Sequence, residues 1–79
     1  MSHTITIYST PSCVYCKMAK AYLTDKHIPY TEKDVQFDIA AREEMVRKSE
    51  QLGVPVIDID GTIIVGFDKP RVDELLGLA

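Results

Sequence analysis

The segment Ser9-Thr-Pro-Ser-Cys-Val-Tyr-Cys-Lys17 contains both cysteines of the chain, Cys13 and Cys16, separated by two residues. It follows a β-branched and aromatic stretch, Thr4–Tyr8, and leads into an apolar pattern of helical period. A cysteine pair with this spacing is typical of a redox couple, of half a metal site or of a structural staple. Each use predicts a different function, and the rest of the sequence bears on the choice.

The composition is that of an ordinary folded protein. The chain has 79 residues, of which 46% are apolar and 27% are charged, so we expect one domain spanning residues 1–79. A net charge of -3 argues against nucleic acid and against an anionic membrane surface as partners. The N-terminal MSHTITIYS has no basic stretch before an apolar one, and no apolar run approaches the roughly 20 residues of a membrane span. We therefore expect a cytoplasmic monomer with soluble partners.

Turn residues divide the chain into seven elements in the order βαβαββα. The predicted strands are Thr4–Tyr8, Ile28–Val35, Val56–Ile59 and Thr62–Val65. The last two form a hairpin, because Asp60-Gly61 suits a type I′ turn. This order predicts an α/β fold with a four-stranded mixed sheet, whose first two strands are parallel and whose two faces are covered by three helices.

The predicted helices begin after the N-cap residues Ser12, Asp38 and Asp68. The first helix ends before Pro29, and the second runs to Gly53. The first helix has an apolar face at helical spacing, formed by Tyr15, Met18, Ala19, Tyr22 and Leu23.

The second and third helices also carry patterned faces. Two i, i+4 pairs, Glu43 with Arg47 and Glu44 with Lys48, predict a solvated charged face on the second helix. The third helix has an apolar face whose members are Val72, Leu75 and Leu76. Phe67 is placed to pack against Val72 as a hydrophobic staple.

The position of Cys13 matters more than the spacing of the pair. Cys13 comes directly after the first strand and at the start of the first helix, where backbone N–H groups without helical partners favour a thiolate. Lys17, one turn on, adds to this effect. Cys16 lies one turn deeper and is expected to be shielded. The sequence therefore predicts that Cys13 attacks a disulfide and that Cys16 resolves the product, with the stabilised Cys13 thiolate as a good leaving group.

The other two uses of the pair explain less. A staple that closes a four-residue loop adds at most about 2 kcal/mol. A structural zinc site needs four ligands, and the remaining candidates, His3 and His27, lie at the N-terminus and at the far end of the first helix. We therefore favour redox chemistry and predict no metal ligand. An iron–sulfur cluster shared between two chains, with Cys13 supplying one thiolate from each, stays open as an alternative.

Over essentially its whole length the chain resembles the glutaredoxins, and most of all the small glutaredoxin-like and NrdH-redoxin proteins. The matching motifs are Cys13-Val-Tyr-Cys16, Gly53-Val-Pro-Val-Ile57 before the hairpin, and Ile64-Val-Gly-Phe-Asp68 before the last helix. The resemblance implies a thioredoxin fold and thiol–disulfide oxidoreductase activity. It implies a dithiol electron carrier toward disulfide-containing client proteins, with no cofactor beyond the cysteine pair. An inert interaction module on this fold is a third possibility.

The resemblance also implies a substrate-binding backbone. The family proline that matches Pro55 has a cis peptide bond and lies against the cysteines, which leaves Val54 to bind an extended substrate strand. From the residues alone, Pro55 simply begins a strand. Tyr15 matches a family tyrosine that flanks the thiol site, and it also fits a core position in the first helix. The expected binding residues are Thr10, Tyr15, Lys17, Val54, Pro55, Gly66, Phe67 and Asp68.

Departures from the glutaredoxin pattern bear on the electron donor. Gly66 with Asp68 resembles the segment that holds glutathione, but Val65 replaces its first glycine and Asp68 is also explained as an N-cap. Thr10 stands where glutathione-using members carry a lysine.

The pairing of Gly66 with Phe67 is the NrdH-redoxin form, whose members are typically reduced by thioredoxin reductase. Thioredoxin reductase is therefore favoured over glutathione as the donor. Val14 replaces the glutaredoxin proline, and this leaves room for the cluster alternative.

Overall fold

A computed structural model describes residues 3–78; Met1, Ser2 and Ala79 of the expected 1–79 domain lie outside the described residues. Seven elements follow in the predicted order. The strands are β1 (Ile5–Ser9), β2 (Thr31–Asp34), β3 (Val56–Ile59) and β4 (Thr62–Val65). The helices are α1 (Val14–Asp25), α2 (Ile39–Ser49) and α3 (Lys69–Leu76).

The four strands form one mixed sheet in the order β2-β1-β3-β4. β1 and β2 are parallel, and β3 is antiparallel to both β1 and β4. Tyr8 lies opposite Val56, which in turn lies opposite Val65. The segments that follow β1 and β4 therefore meet the segment that precedes β3 at one end of the sheet. This sheet with its three helices is the predicted thioredoxin fold.

Alternating side chains of the strands divide the core between the two faces of the sheet. The face covered by α1 and α3 holds the larger cluster, which consists of Ile5, Ile7, Ala19, Leu23, Ile57, Ile59, Ile64, Val72 and Leu76. The face covered by α2 holds Tyr8, Val35, Ala41, Met45 and Val56. Helices thus cover both faces, as the element order predicted.

Several local predictions are confirmed. Asp38 caps α2 by accepting a hydrogen bond from the Ala41 N–H, and Asp68 caps α3 through the Arg71 N–H. The hairpin turn has φ of 52° at Asp60 and 94° at Gly61, as a type I′ turn requires. Phe67 packs against the larger core cluster, to which Val72 belongs.

Three elements have boundaries that differ from the predicted ones. β1 begins and ends one residue later than predicted. β2 begins at Thr31 because the Ile28 N–H bonds to the Leu23 carbonyl and so closes the end of α1. α2 ends at Ser49 rather than Gly53, since Glu50 adopts a left-handed conformation with φ of 58°.

The predicted apolar face of α1 is also partly wrong. The side chains that α1 buries are Cys16, Ala19 and Leu23. Tyr15 and Met18 are 63% and 48% exposed, because the buried face is centred on the line from Cys16 to Leu23. The interpretation of Tyr15 as a core residue is therefore wrong.

The predicted Glu44–Lys48 pair is replaced by contacts between α2 and the sheet. Glu44 accepts hydrogen bonds from Lys33 on β2, at 2.7 Å, and from the hydroxyl of Tyr8. Lys48 donates to Asp58 on β3 at 2.8 Å and to the Tyr8 hydroxyl at 3.0 Å. These charges anchor α2 through the buried Tyr8, and the prediction of a purely solvated face was wrong.

Within residues 3–78, every helix is too short or too polar to cross a membrane.

Candidate active site

Cys13 itself is the N-cap of α1, which corrects the prediction of Ser12. The backbone of Cys13 is extended, with φ of -80° and ψ of 114°, so the helix begins at the next residue. Its sulfur accepts a hydrogen bond from the Cys16 N–H, with 3.1 Å between the two atoms. The sulfur thus takes the place that a serine or aspartate oxygen usually occupies at a helix start. This places Sγ directly against an unpaired amide of the first turn.

The two cysteines differ in accessibility. Cys13 is partly exposed, whereas Cys16 is fully buried. Their sulfur atoms are joined in a disulfide, with the Cα atoms 5.2 Å apart. The Cys13 N–H bonds to the Thr10 carbonyl at 3.3 Å, which holds the loop between β1 and α1. The pair therefore consists of one partly exposed cysteine and one buried cysteine.

Val54 and Pro55 lie at the same end of the sheet as the pair. The Val54–Pro55 peptide bond is cis, and Pro55 is buried directly before β3. The register of β3 on β1 brings this segment beside the residues that follow Tyr8. Within residues 3–78, no hydrogen bond uses the backbone N–H or C=O of Val54. Both groups remain available to a further strand.

The segment Gly66-Phe67-Asp68 reaches the same end of the sheet from β4. Gly66 has φ of 84°, a left-handed conformation that favours glycine, and its N–H bonds to the Pro55 carbonyl at 2.8 Å. One carboxylate oxygen of Asp68 accepts the hydrogen bond that caps α3. Capping therefore explains Asp68, and a role in binding stays a prediction.

Large apolar side chains lie exposed beside Cys13. Val14 and Tyr15 directly follow it in the chain and are 66% and 63% exposed. Lys17, one turn further, is exposed too, and its N–H bonds to the Cys13 carbonyl. Large exposed apolar side chains around a reactive sulfur are typical of a surface that contacts other proteins.

Two polar clusters beside the site were missed by sequence reasoning. In the first, the buried Ser9 hydroxyl and the Lys20 ammonium both donate to Glu32, at 2.7 and 2.6 Å. The Lys20 ammonium and the Ser9 hydroxyl hold the pKa of Glu32 below its ordinary value. This cluster ties α1 to β1 and β2 next to the cysteine loop. No sequence signal identified it, because the three residues are distant in the chain.

The second cluster joins α1 to α3 through Tyr22. The Tyr22 hydroxyl donates to Asp73, and Lys69 donates to the same carboxylate at 2.9 Å. The bond to Asp73 raises the pKa of Tyr22 and, with Lys69, lowers that of Asp73. A tyrosine on an apolar helix face needs a hydrogen-bond partner for its hydroxyl. This need could have predicted a polar contact of Tyr22, although the sequence does not identify the partner.

The histidines lie apart from the cysteines. His3 bonds to Asp60 of the hairpin turn at 2.6 Å, and His27 follows the end of α1 in a left-handed conformation. Among the described residues, no cluster of three or more His, Cys, Asp or Glu side chains has the proximity to hold a metal ion. Which cofactors the protein uses stays a prediction.

Known proteins match this chain over most of its length. The family model for glutaredoxin matches residues 5–64. A glutaredoxin-like 8.6 kDa protein of the rubredoxin operon in Clostridium pasteurianum is 53% identical over 72 residues, which are 91% of this chain and 96% of that protein. Glutaredoxin 3 of Escherichia coli K12 is 39% identical over 64 residues, which are 81% of this chain and 77% of that one.

Solved structures agree with these matches. The crystal structure of a mutant of the thioredoxin-like protein BC3987 has a TM-score of 0.90 and 30% identity, covering 96% of this chain and 97% of that one. Methanoredoxin of Methanosarcina acetivorans has a TM-score of 0.85 and 26% identity, covering 94% and 84%.

The thioredoxin fold and the paired cysteines at a helix start define the general class of thiol–disulfide oxidoreductases. Within that class, the chain belongs to the glutaredoxin family.

Proposed function

We propose that this protein is a dithiol electron carrier that reduces disulfides of client proteins. The observation that carries the proposal is the asymmetry of the pair. Cys13 is partly exposed and its sulfur accepts a hydrogen bond from the Cys16 amide, whereas Cys16 is fully buried. This asymmetry supports a mechanism in which Cys13 attacks the substrate and Cys16 attacks only Cys13.

The reaction consists of two thiol–disulfide exchanges. The Cys13 thiolate attacks one sulfur of the client disulfide, whose S–S bond breaks, and the other client sulfur leaves as a thiolate that takes up a proton. Cys16 then loses its proton and attacks the Cys13 sulfur in the mixed disulfide. The client leaves with its second thiol, and the Cys13–Cys16 disulfide remains. Two electrons and two protons pass to the client.

The amide of Cys16 acts on both steps. Its N–H points at the Cys13 sulfur, so it stabilises a negative charge there before the attack and again when Cys13 leaves. The second role matters more for turnover, since a more acidic thiol is a weaker nucleophile but a better leaving group.

The surroundings of Cys13 favour a polypeptide over a small anionic thiol as the substrate. Val14 and Tyr15 offer exposed apolar surface, and the backbone of Val54 is open to an extended segment. Thr10 contributes no positive charge to pair with a carboxylate of glutathione. Protein disulfides are thus the substrate class, and thioredoxin reductase is the donor that returns two electrons to the oxidised pair.

The proposal is tested with two donor systems and insulin as the disulfide substrate. One arm contains NADPH with thioredoxin reductase, and the other contains NADPH, glutathione and glutathione reductase. We expect NADPH oxidation in the first arm that depends on this protein and disappears in the Cys13→Ser variant. Faster turnover in the glutathione arm would overturn the assignment of the donor.

Two further outcomes would reject the carrier function. If neither donor nor dithiothreitol supports insulin reduction above the background rate, the protein is not a disulfide reductase of this kind. If anaerobic purification yields a brown dimer without reductase activity, the alternative of a shared iron–sulfur cluster is correct instead. A colourless monomer whose two thiols titrate only after reduction supports the proposal.

A further inference from the structure

We propose that Tyr22 is a positioning residue, which holds the Gly66–Asp68 segment at a set distance from the cysteine helix and thereby tunes client binding. This inference rests on the proposed function, because it assigns a role in recognising the client disulfide. Tyr22 itself lies nine residues beyond Cys13, about 13 Å along the axis of α1. It is therefore too far from the sulfur to take part in the exchange.

The contacts of Tyr22 join α1 to α3 at two points. Its hydroxyl donates to the Oδ1 atom of Asp73, in the middle of α3. The ammonium of Lys69, in the first turn of α3, lies 4.9 Å from the centre of the Tyr22 ring and donates to the Oδ2 atom of Asp73 at 2.9 Å. The ring and the hydroxyl of one α1 side chain are thus both engaged by α3.

A third contact reaches the predicted binding segment directly. The rings of Tyr22 and Phe67 pack with their centres 5.8 Å apart and their planes tilted by 53°. Tilted aromatic pairs at this separation are favourable. Phe67 lies between Gly66 and the helix cap Asp68, so its ring fixes the short stretch of backbone that faces the end of the sheet. Tyr22 is therefore a side chain by which α1 contacts this stretch through an aromatic pair, in addition to the packing of Phe67 on the core cluster.

The other side of the segment is held by the proline loop. The Gly66 N–H bonds to the Pro55 carbonyl at 2.8 Å. The segment is thus fastened to Pro55 at one residue and to Tyr22 at the next. These two contacts connect three parts of the candidate site, namely the cysteine helix, the proline loop and this segment, which the strand pairing has already brought to one end of the sheet.

This arrangement predicts that a change at Tyr22 affects client binding but not the reactivity of the Cys13 sulfur. Removing the Tyr22 ring takes the aromatic contact from Phe67, so the segment is held less firmly and a client is bound less tightly. The reactivity of Cys13 depends on the Cys16 amide, which Tyr22 does not contact, and stays unchanged. A residue with a purely structural role would lower overall stability without this split.

The test compares Tyr22→Leu with Tyr30→Leu and Tyr22→Phe. Tyr30 packs against the same core cluster but precedes β2, at the opposite end of the sheet, so it controls for the loss of a packed tyrosine. Tyr22→Phe keeps the ring and loses only the bond to Asp73. Insulin reduction with dithiothreitol as the electron source gives KM and kcat, and iodoacetamide alkylation gives the reactivity of Cys13.

We expect Tyr22→Leu to raise the KM for insulin about threefold to tenfold, with kcat and the alkylation rate within about twofold of the unmodified protein. Tyr30→Leu leaves KM unchanged, and Tyr22→Phe raises it by less than Tyr22→Leu does. Equal KM values for the two leucine variants would overturn the inference while leaving the proposed function in place. If Tyr22→Leu fails to fold, an unchanged KM in Tyr22→Phe overturns it. Absence of turnover in the unmodified protein rejects both proposals.

Discussion

The N–H of Gly66 donates a hydrogen bond to the carbonyl oxygen of Pro55, with 2.8 Å between the two atoms. This bond joins two segments that are distant in the sequence and that both resemble binding segments of the glutaredoxin family. It continues the β3–β4 pairing by one position beyond Val56 and Val65. The left-handed conformation of Gly66 then turns the chain into α3. The left-handed backbone conformation at Gly66 thus helps to set the geometry of the candidate site.

Replacing Gly66 with alanine should cost stability and activity together. A Cβ at this position would meet no atom within 4 Å, so the cost is conformational, about 1 to 2 kcal/mol for a left-handed residue. Urea denaturation measures the free energy of unfolding, and insulin reduction measures turnover. Gly61→Ala is the matched control, since Gly61 is also left-handed and open but lies in the hairpin turn. Lower turnover in both variants would show that Gly66 has no special role at the site.

The two cysteines should have separable roles. Cys13→Ser removes the accessible sulfur and is expected to abolish turnover. Cys16→Ser should still attack a disulfide once, and the mixed disulfide should accumulate because nothing resolves it. Mass spectrometry of each variant after incubation with insulin detects the adduct. An adduct on Cys13→Ser would reverse the assigned roles.

The thiol of reduced Cys13 should titrate well below the ordinary value of about 8.5. A sulfur at a helix start that accepts an amide hydrogen bond is stabilised as the thiolate, and such thiols have pKa values up to about 7.5. The rate of alkylation by iodoacetamide as a function of pH gives the value. Cys16→Ser isolates the Cys13 thiol and leaves the backbone amide in place. A midpoint at or above about 8.5 would contradict the mechanism.

Glu44 should make the protein sensitive to acid. Hydrogen bonds from Lys33 and Tyr8 lower its pKa from the ordinary 4.5 to about 2. The unfolded carboxyl is protonated first, so the stabilisation is complete above about pH 4.5 and is lost as the pH falls toward 2. Because the carboxylate is partly exposed, we expect a contribution of about 1 kcal/mol.

Urea denaturation of Glu44→Gln at pH 7 and at pH 3 measures this contribution. The variant should be less stable at pH 7 and should lose less stability on acidification than the unmodified protein. Glu43→Gln is the control, because Glu43 is exposed and forms no salt bridge with any of residues 3–78. An equal pH dependence in both variants would contradict the assignment.

Much of the fold was predictable because the signals for it are local. The apolar alternation of β1 and the Asp60-Gly61 turn each reflect interactions between residues close in the chain. The caps Asp38 and Asp68 were recognisable for the same reason. The position of the cysteine pair between a strand and a helix followed directly from these elements. Its redox interpretation also drew on the resemblance to a known family.

The predictions were wrong where a local sequence pattern does not contain the residues that it contacts in the folded protein. Tyr15 and Met18 fit helical spacing, but the apolar line that faces the sheet runs from Cys16 to Leu23. Ser12 has a good capping side chain, yet the sulfur of Cys13 takes the cap because the helix begins one residue later. Glu44 and Lys48 are correctly spaced for each other, but Tyr8 and two strand residues provide partners across the interface between α2 and the sheet.

The sequence alone determines the order of elements, the hairpin and the position of the cysteine pair at a helix start. Each of these features depends on residues that lie within a few positions of one another in the chain. Tertiary structure decides which sulfur is buried, how Gly66 reaches Pro55 and how Tyr22 joins Phe67 to Asp73. Those contacts connect residues from separate elements, whose side chains meet only when the sheet forms and the helices pack on it.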